Sequence, residues 1–127
     1  MLLCLDVGNS QVFGGIFHNH ELQVQFRRTS QTNSSSDELG VFFRSVLREN
    51  NVEPDLISKV AICCVVPDLL YSLRACCQKY FGLDPLILRP GIKTGLKIQY
   101  RDPKEVGADR IADAVGALKM FPEKNLI

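Results

Sequence analysis

The sequence predicts a mixed α/β fold with a five-stranded sheet, a three-strand antiparallel meander plus parallel strands, and flanking helices. Three observations carry that reading. Strand-type segments joined by tight turns fill the first thirty residues, two amphipathic helical patterns follow, and each helical pattern leads into a compact β-prone run. Parallel pairing needs crossovers of that kind, so the late strands are expected beside one another and the early ones in a meander.

Leu2, Leu3, Cys4 and Leu5 form a nearly continuous apolar run, as in a strand buried on both faces, and the run ends at Asp6. Gln11 to Phe17 alternates loosely. Leu22, Val24 and Phe26 alternate cleanly with Gln23, Gln25 and Arg27. The connections fall at Gly8-Asn9 and Asn19-His20, residues that tolerate turn geometry, and a left-handed φ is expected at Gly8. Residues 29–37 are polar. Ser35 followed by Glu38 has the spacing of a capping box, and Leu39, Phe42, Phe43, Val46 and Leu47 then recur on one helical face. Asn50, Asn51 and Pro54 end that helix. Val60 to Val66 reads as a central strand, stopped by Pro67, which suits the first turn of a second helix. Leu70, Leu73, Cys77 and Tyr80 share a face of that helix, Gly82 caps it, and Pro85 to Leu88 is a further short strand. After irregular residues 91–107, Ile111, Ala114, Val115 and Leu118 mark a third helix.

Composition bounds the function. The chain has 127 residues, 46% hydrophobic and 23% charged, enough for one ordinary globular core. Fifteen basic against fourteen acidic residues leave a net charge of +1, which argues against a nucleic-acid groove or a membrane-surface stripe. No apolar run approaches the length of a membrane span and no signal peptide opens the chain, so a cytoplasmic location is expected. Cys4, Cys63, Cys64, Cys76 and Cys77 are odd in number, lack a C-x-x-C spacing and lie in apolar patterns, which reads as reduced thiols rather than a metal site. His18 and His20 flank a hairpin tip and read as solvent-exposed.

Two constellations carry chemistry. In the first, Asp6 stands at the carboxyl end of a strand beside a donor-rich turn, Gly8-Asn9-Ser10, the minimum equipment for a magnesium–phosphate unit. Open α/β sheets bind ligands at that edge, where Val65-Val66-Pro67 also lies. The plain alternative is a hairpin turn with no ligand. In the second, Gly107-Ala108-Asp109-Arg110 opens the third helix. Asp109 reads either as a helix N-cap or as a carboxylate facing a substrate hydroxyl, with Arg110 or Tyr100 near enough to orient that substrate.

These residues, with Val65-Val66-Pro67 and Tyr100-Pro103 between them, resemble the N-terminal half of the type III pantothenate kinases, members of the actin-like acetate and sugar kinase superfamily. The resemblance implies a ribonuclease H-like, actin-like ATPase lobe over residues 1–108, with 109–127 as a helix and the start of a second lobe. It implies that Asp6, Val7, Gly8, Asn9, Ser10, Gln11, Val12 and Phe13 form the first ATP-phosphate loop, with Asp6 near magnesium. Tyr100, Gly107, Ala108, Asp109 and Arg110 would contact pantothenate, with Asp109 as the general base. Mg2+ with ATP, a monovalent cation (K+ or NH4+) whose ligand lies beyond Ile127, and a homodimer are implied as well. Cys63-Cys64 departs from the family, which tends to carry serine there. The chain stops where the second phosphate motif would begin, so it is expected to hold half an active site, to be inactive alone, and to leave the third helix without its natural packing surface. A non-catalytic ligand-binding or regulatory module of the same fold is the competing expectation.

Overall fold

The computed structural model describes residues 1–89, 91–102 and 105–124. Five strands, β1 (Leu2–Val7), β2 (Gln11–His18), β3 (Glu21–Thr29), β4 (Lys59–Cys64) and β5 (Leu86–Leu88), form one sheet in the order β3-β2-β1-β4-β5. β1, β2 and β3 pair antiparallel, whereas β1 with β4 and β4 with β5 are parallel. The meander and the crossovers are those the periodicity predicts.

Helices α1 (Ser36–Glu49) and α2 (Pro67–Phe81) supply the crossovers and cover one face of the sheet. Alternate residues of the strands point into that layer: Leu3, Leu5, Val7, Val12, Ile16, Val60 and Ile62 meet Leu39, Phe43, Leu47, Leu69 and Leu73 in a closed core. Ser35 caps α1 with the full reciprocal box to Glu38, so its first-turn donors are satisfied locally. Pro67 opens α2 and Gly82, at φ 67°, closes it in the left-handed conformation that glycine adopts without a Cβ penalty. The two helices approach closely because Gly40 has no side chain: a Cβ there would overlap the Tyr80 ring. Tyr80 Oη and Lys79 Nζ then reach Asp37 at 2.9 and 2.6 Å across the same contact.

Several expectations shift by a residue or a face. On α2 Leu69 is fully buried and Leu70 only half-buried, because the helix turns its Leu69-Leu73-Cys76-Cys77 stripe to the sheet. β4 ends at Cys64, and Val65 continues only through its N–H to the Val7 carbonyl at 3.0 Å. Gly8 has no left-handed φ; Asn19 and His20, at 50° and 69°, are the left-handed pair, in the other hairpin. The three-residue connection Gly8–Ser10 is long enough to turn without such a residue and is held from outside. Ser30 donates its hydroxyl to the Gly8 carbonyl at 2.6 Å and its N–H to the Ser10 carbonyl at 2.9 Å.

Helix α3 (Ala108–Met120) contacts β4 through the other face of the sheet. Ala108 and Ile111 are buried, while Val115, Leu118, Met120 and Phe121 are exposed. No helix among the described residues is long and apolar enough to cross a membrane.

Candidate active site

The face of the sheet opposite α1 and α2 carries the residues that the core leaves over. Strand register sets Arg27, Phe13, Asp6, Cys63 and Leu88 side by side in one row across all five strands. Asp6 lies near the carboxyl end of β1 in the middle of that row, and beside it Gly8–Ser10 turns back into β2. The Gly8 N–H donates to the Gln11 carbonyl at 3.0 Å. A Cβ at Gly8 would meet only that carbonyl, at 3.4 Å, so nothing inside the fold excludes a side chain there. Asn9 and Ser10 are exposed, as are Gln11 and Phe13, whereas Val7 and Val12 are buried and anchor the turn to the core.

Cys63 is buried directly beside Asp6 and its thiol donates a hydrogen bond to the Asp6 carboxylate. Burial, followed by the adjacent charge of Asp6, pushes the Cys63 thiol up to about 12, so it stays protonated and remains a donor. Partial burial is also the main cause that raises Asp6 above the usual carboxylate range. The Cys63 hydrogen bond opposes that rise, and the charges of Asp113 and Asp109 add to it. Those charges identify what α3 brings to the sheet. Asp109 and Asp113 are one helical turn apart and both act on Asp6. Residues from opposite ends of the chain therefore meet at one edge.

Asp109 is not the N-cap. Gly107 holds that position without a side-chain cap, and Asp109 follows within the first turn, where its Oδ1 accepts the Arg110 N–H at 2.9 Å. A Cβ at Gly107 would overlap Oδ1 of Asp109, so the glycine has a local reason: it makes room for this carboxylate. The second carboxylate oxygen has no hydrogen bond among the described residues. Arg110 is exposed. Tyr100 is 57% exposed, and no hydrogen bond joins it to Asp109 or Arg110 among the described residues. Pro103 lies outside the described residues.

Two cavities lie at this end of the sheet, and Asp6 lines the second. One, of about 690 Å³, opens between the ends of β4 and β5, α2 and the segment leading into α3; Val65, Leu70, Tyr71, Arg74, Arg89 and Gly107 are among its walls. The other, about 380 Å³ and mostly apolar, lies over the row itself and touches Cys4, Asp6, Phe13, Cys63, Leu88 and Ala112. The five thiols are free; Cys63, Cys76 and Cys77 are buried and Cys4 and Cys64 only partly so. His18 and His20 are exposed at the hairpin tip. Among the described residues no three His, Cys, Asp or Glu groups are placed to hold a metal by themselves.

Sequence reasoning missed Asp113, Arg27 and the donor role of Cys63. The spacing of four from Asp109 was the available signal for Asp113. For Cys63 and Arg27 only strand register shows them beside Asp6 and Phe13.

The sequence model described as type III pantothenate kinase matches residues 2–127. Proteins named type III pantothenate kinase are similar over the whole chain: 58% identity to that of Legionella pneumophila (strain Corby) and 49% to that of Elusimicrobium minutum (strain Pei191), with 49% of each relative covered. A type III pantothenate kinase 1 of Francisella tularensis subsp. holarctica (strain OSU18) is 42% identical, with 50% of it covered. The chain thus spans about half the length of the curated relatives it matches. A mixed five-stranded sheet with flanking helices is consistent with the actin-like ATPase fold, and by its match the chain belongs to the type III pantothenate kinase family.

Proposed function

We propose that the polypeptide carrying this chain is an ATP-dependent kinase that phosphorylates pantothenate to 4'-phosphopantothenate, the first step of coenzyme A biosynthesis. The observation that carries the reading is the packing of α3 on β4, which brings Asp109, at the start of α3, within electrostatic reach of Asp6, at the end of β1. One carboxylate adjoins a turn suited to phosphate and the other opens a helix beside a roomy cavity.

In this reading the Gly8–Ser10 turn offers its backbone and side-chain donors to the phosphates of ATP, in the segment Asp6 to Phe13. Gly8 leaves the space a Cβ would fill, so a phosphate can approach the main chain. Asp6, oriented by Cys63, would hold Mg2+ directly or through water; the ion, when bound, neutralises charge on the transferring phosphoryl group. The acceptor occupies the 690 Å³ cavity, whose apolar walls suit a branched aliphatic chain and whose Arg89 suits a carboxylate, Arg74 being paired with Asp84 at 2.9 Å. Gly107, Ala108 and Arg110 position the acceptor, and Tyr100 contributes from the preceding loop. Asp109 accepts the hydroxyl proton as that oxygen attacks the γ-phosphorus, and the bond from that phosphorus to the β–γ bridging oxygen breaks to release ADP. Its oxygen bound to the Arg110 N–H fixes the carboxylate while the other faces the substrate.

The same reading assigns residues 1–108 to a first lobe and 109–127 to a helix and the start of a second. It includes a monovalent cation, K+ or NH4+, bound outside this chain, a homodimer, and a cytoplasmic location. The exposed apolar residues of α3 and the doubled length of the relatives support further packing against this lobe. The 127 residues alone are expected to show no turnover.

The test is phosphorylation of pantothenate by ATP, with magnesium and potassium, using this chain and a polypeptide extended past Ile127 to the length of its relatives. Turnover only in the extended polypeptide supports the reading. Its absence there overturns the kinase in favour of a non-catalytic binding module.

A further inference from the structure

Arg27 stands in the same row as Asp6, two strands away, and shares its face of the sheet. Its guanidinium carbon lies 4.2 Å from the centroid of the Phe13 ring, in cation–π contact. Phe13 is the residue between them, paired with Asp6 on one side and Arg27 on the other. About 10 Å of backbone spacing separates Arg27 from Asp6, and the ring fills the gap between them. That contact restrains the guanidinium over the ring, so less rotamer freedom is lost when it grips an anion. Arg27 has no carboxylate partner among the described residues. Its neighbour Arg28, by contrast, turns to the helix side, where it donates to Ser34 at 2.9 Å and lies over Phe42. Adjacent arginines on an edge strand thus have separate tasks, and the one facing Asp6 is without an anion.

We infer that Arg27 is a phosphate-binding residue: held over the Phe13 ring, it closes the phosphate site from the β3 side and binds the polyphosphate chain of a magnesium-bound nucleoside triphosphate. The inference rests on the reading that ATP phosphates lie over Asp6 to Phe13, and adds a cation to a segment whose own side chains supply none. Arginine suits this position because its fork binds two phosphate oxygens at once, which a lysine ammonium does not do in fixed geometry.

The test measures equilibrium binding of magnesium tripolyphosphate and of Mg·ATP by calorimetry, together with steady-state kinetics, in the extended polypeptide and its Arg27→Gln, Arg27→Lys and Phe13→Leu variants. Arg27→Gln is expected to weaken both ligands by about tenfold or more, as loss of a charge-assisted contact does. The Michaelis constant for pantothenate should stay within twofold. Arg27→Lys should recover part of the loss, and Phe13→Leu should fall between wild type and Arg27→Gln. Loss for Mg·ATP with tripolyphosphate unchanged would place Arg27 on the nucleoside and overturn the inference. Unchanged binding of both ligands in Arg27→Gln, or no tripolyphosphate binding by the wild type, would also overturn it. Wild-type tripolyphosphate binding without pantothenate phosphorylation would sink the kinase reading while leaving the Arg27 comparison decisive.

Discussion

The two faces of the sheet are built from the same strands and have opposite characters. Toward α1 and α2, Leu3, Leu5, Val7, Val12, Ile16 and Ile62 are at most 2% exposed and close a dry core. Toward α3, the intervening residues Cys4, Asp6, Phe13 and Cys63 line a cavity, and a carboxylate stands where the first face has only hydrocarbon. Period-two alternation makes this separation possible: each strand contributes to stability with one set of side chains and leaves the other set free for a ligand. A carboxylate is tolerated there because Cys63 donates to it and solvent reaches it.

Substitutions that fall on one face or the other break or sharpen this contrast. The largest effect on stability is expected at Phe43, which is 1% exposed and packs its ring on Phe26 and Phe42. Phe43→Ala should lower the unfolding free energy by about 3–5 kcal/mol in chemical denaturation. A loss under about 1 kcal/mol would mean that the core is not closed as described. On the other side, Gly107→Ala should leave the melting temperature nearly unchanged while displacing the Asp109 carboxylate. A reduction in kcat of about a hundredfold in the extended polypeptide is expected, the usual order for a catalytic group moved by about 1 Å. Retention of full kcat would show that the position of this carboxylate does not matter to turnover.

Much of the covered face was legible because burial there is dictated by pattern. The capping box at Ser35, Pro67 opening α2, Gly82 closing it and the 3.6-residue stripe of α1 are local signals, each satisfied within a few residues of its own position. The site was legible only in part. Asp6 with its turn, and Asp109 at the start of a helix, could be found as motifs. Their convergence with Asp113 and Cys63 depends on how α3 lies over β4, which no short-range spacing encodes. The expected left-handed Gly8 failed for a related reason. Ser30, distant in sequence, holds that turn, so the glycine does not need to bend it. The Leu69-for-Leu70 exchange on α2 is a rotation of the helix that only packing against the sheet decides.

The separation of the faces is tested most directly by measuring unfolding across pH, alongside phosphorylation of pantothenate, for Asp6→Asn in the extended polypeptide. Asp6 is raised in the folded state, chiefly by burial, so its ionised form weakens the fold once pH climbs above the ordinary carboxylate range and through the raised value. Asp6→Asn should therefore be as stable as wild type or more stable at neutral pH. That advantage should shrink as pH falls back through the raised value and vanish below the ordinary range, and the variant should lose most of its turnover at every pH. A variant that unfolds more easily at neutral pH, with activity falling only in step with the folded fraction, would contradict the account, because Asp6 would then be part of the structure and not of the chemistry.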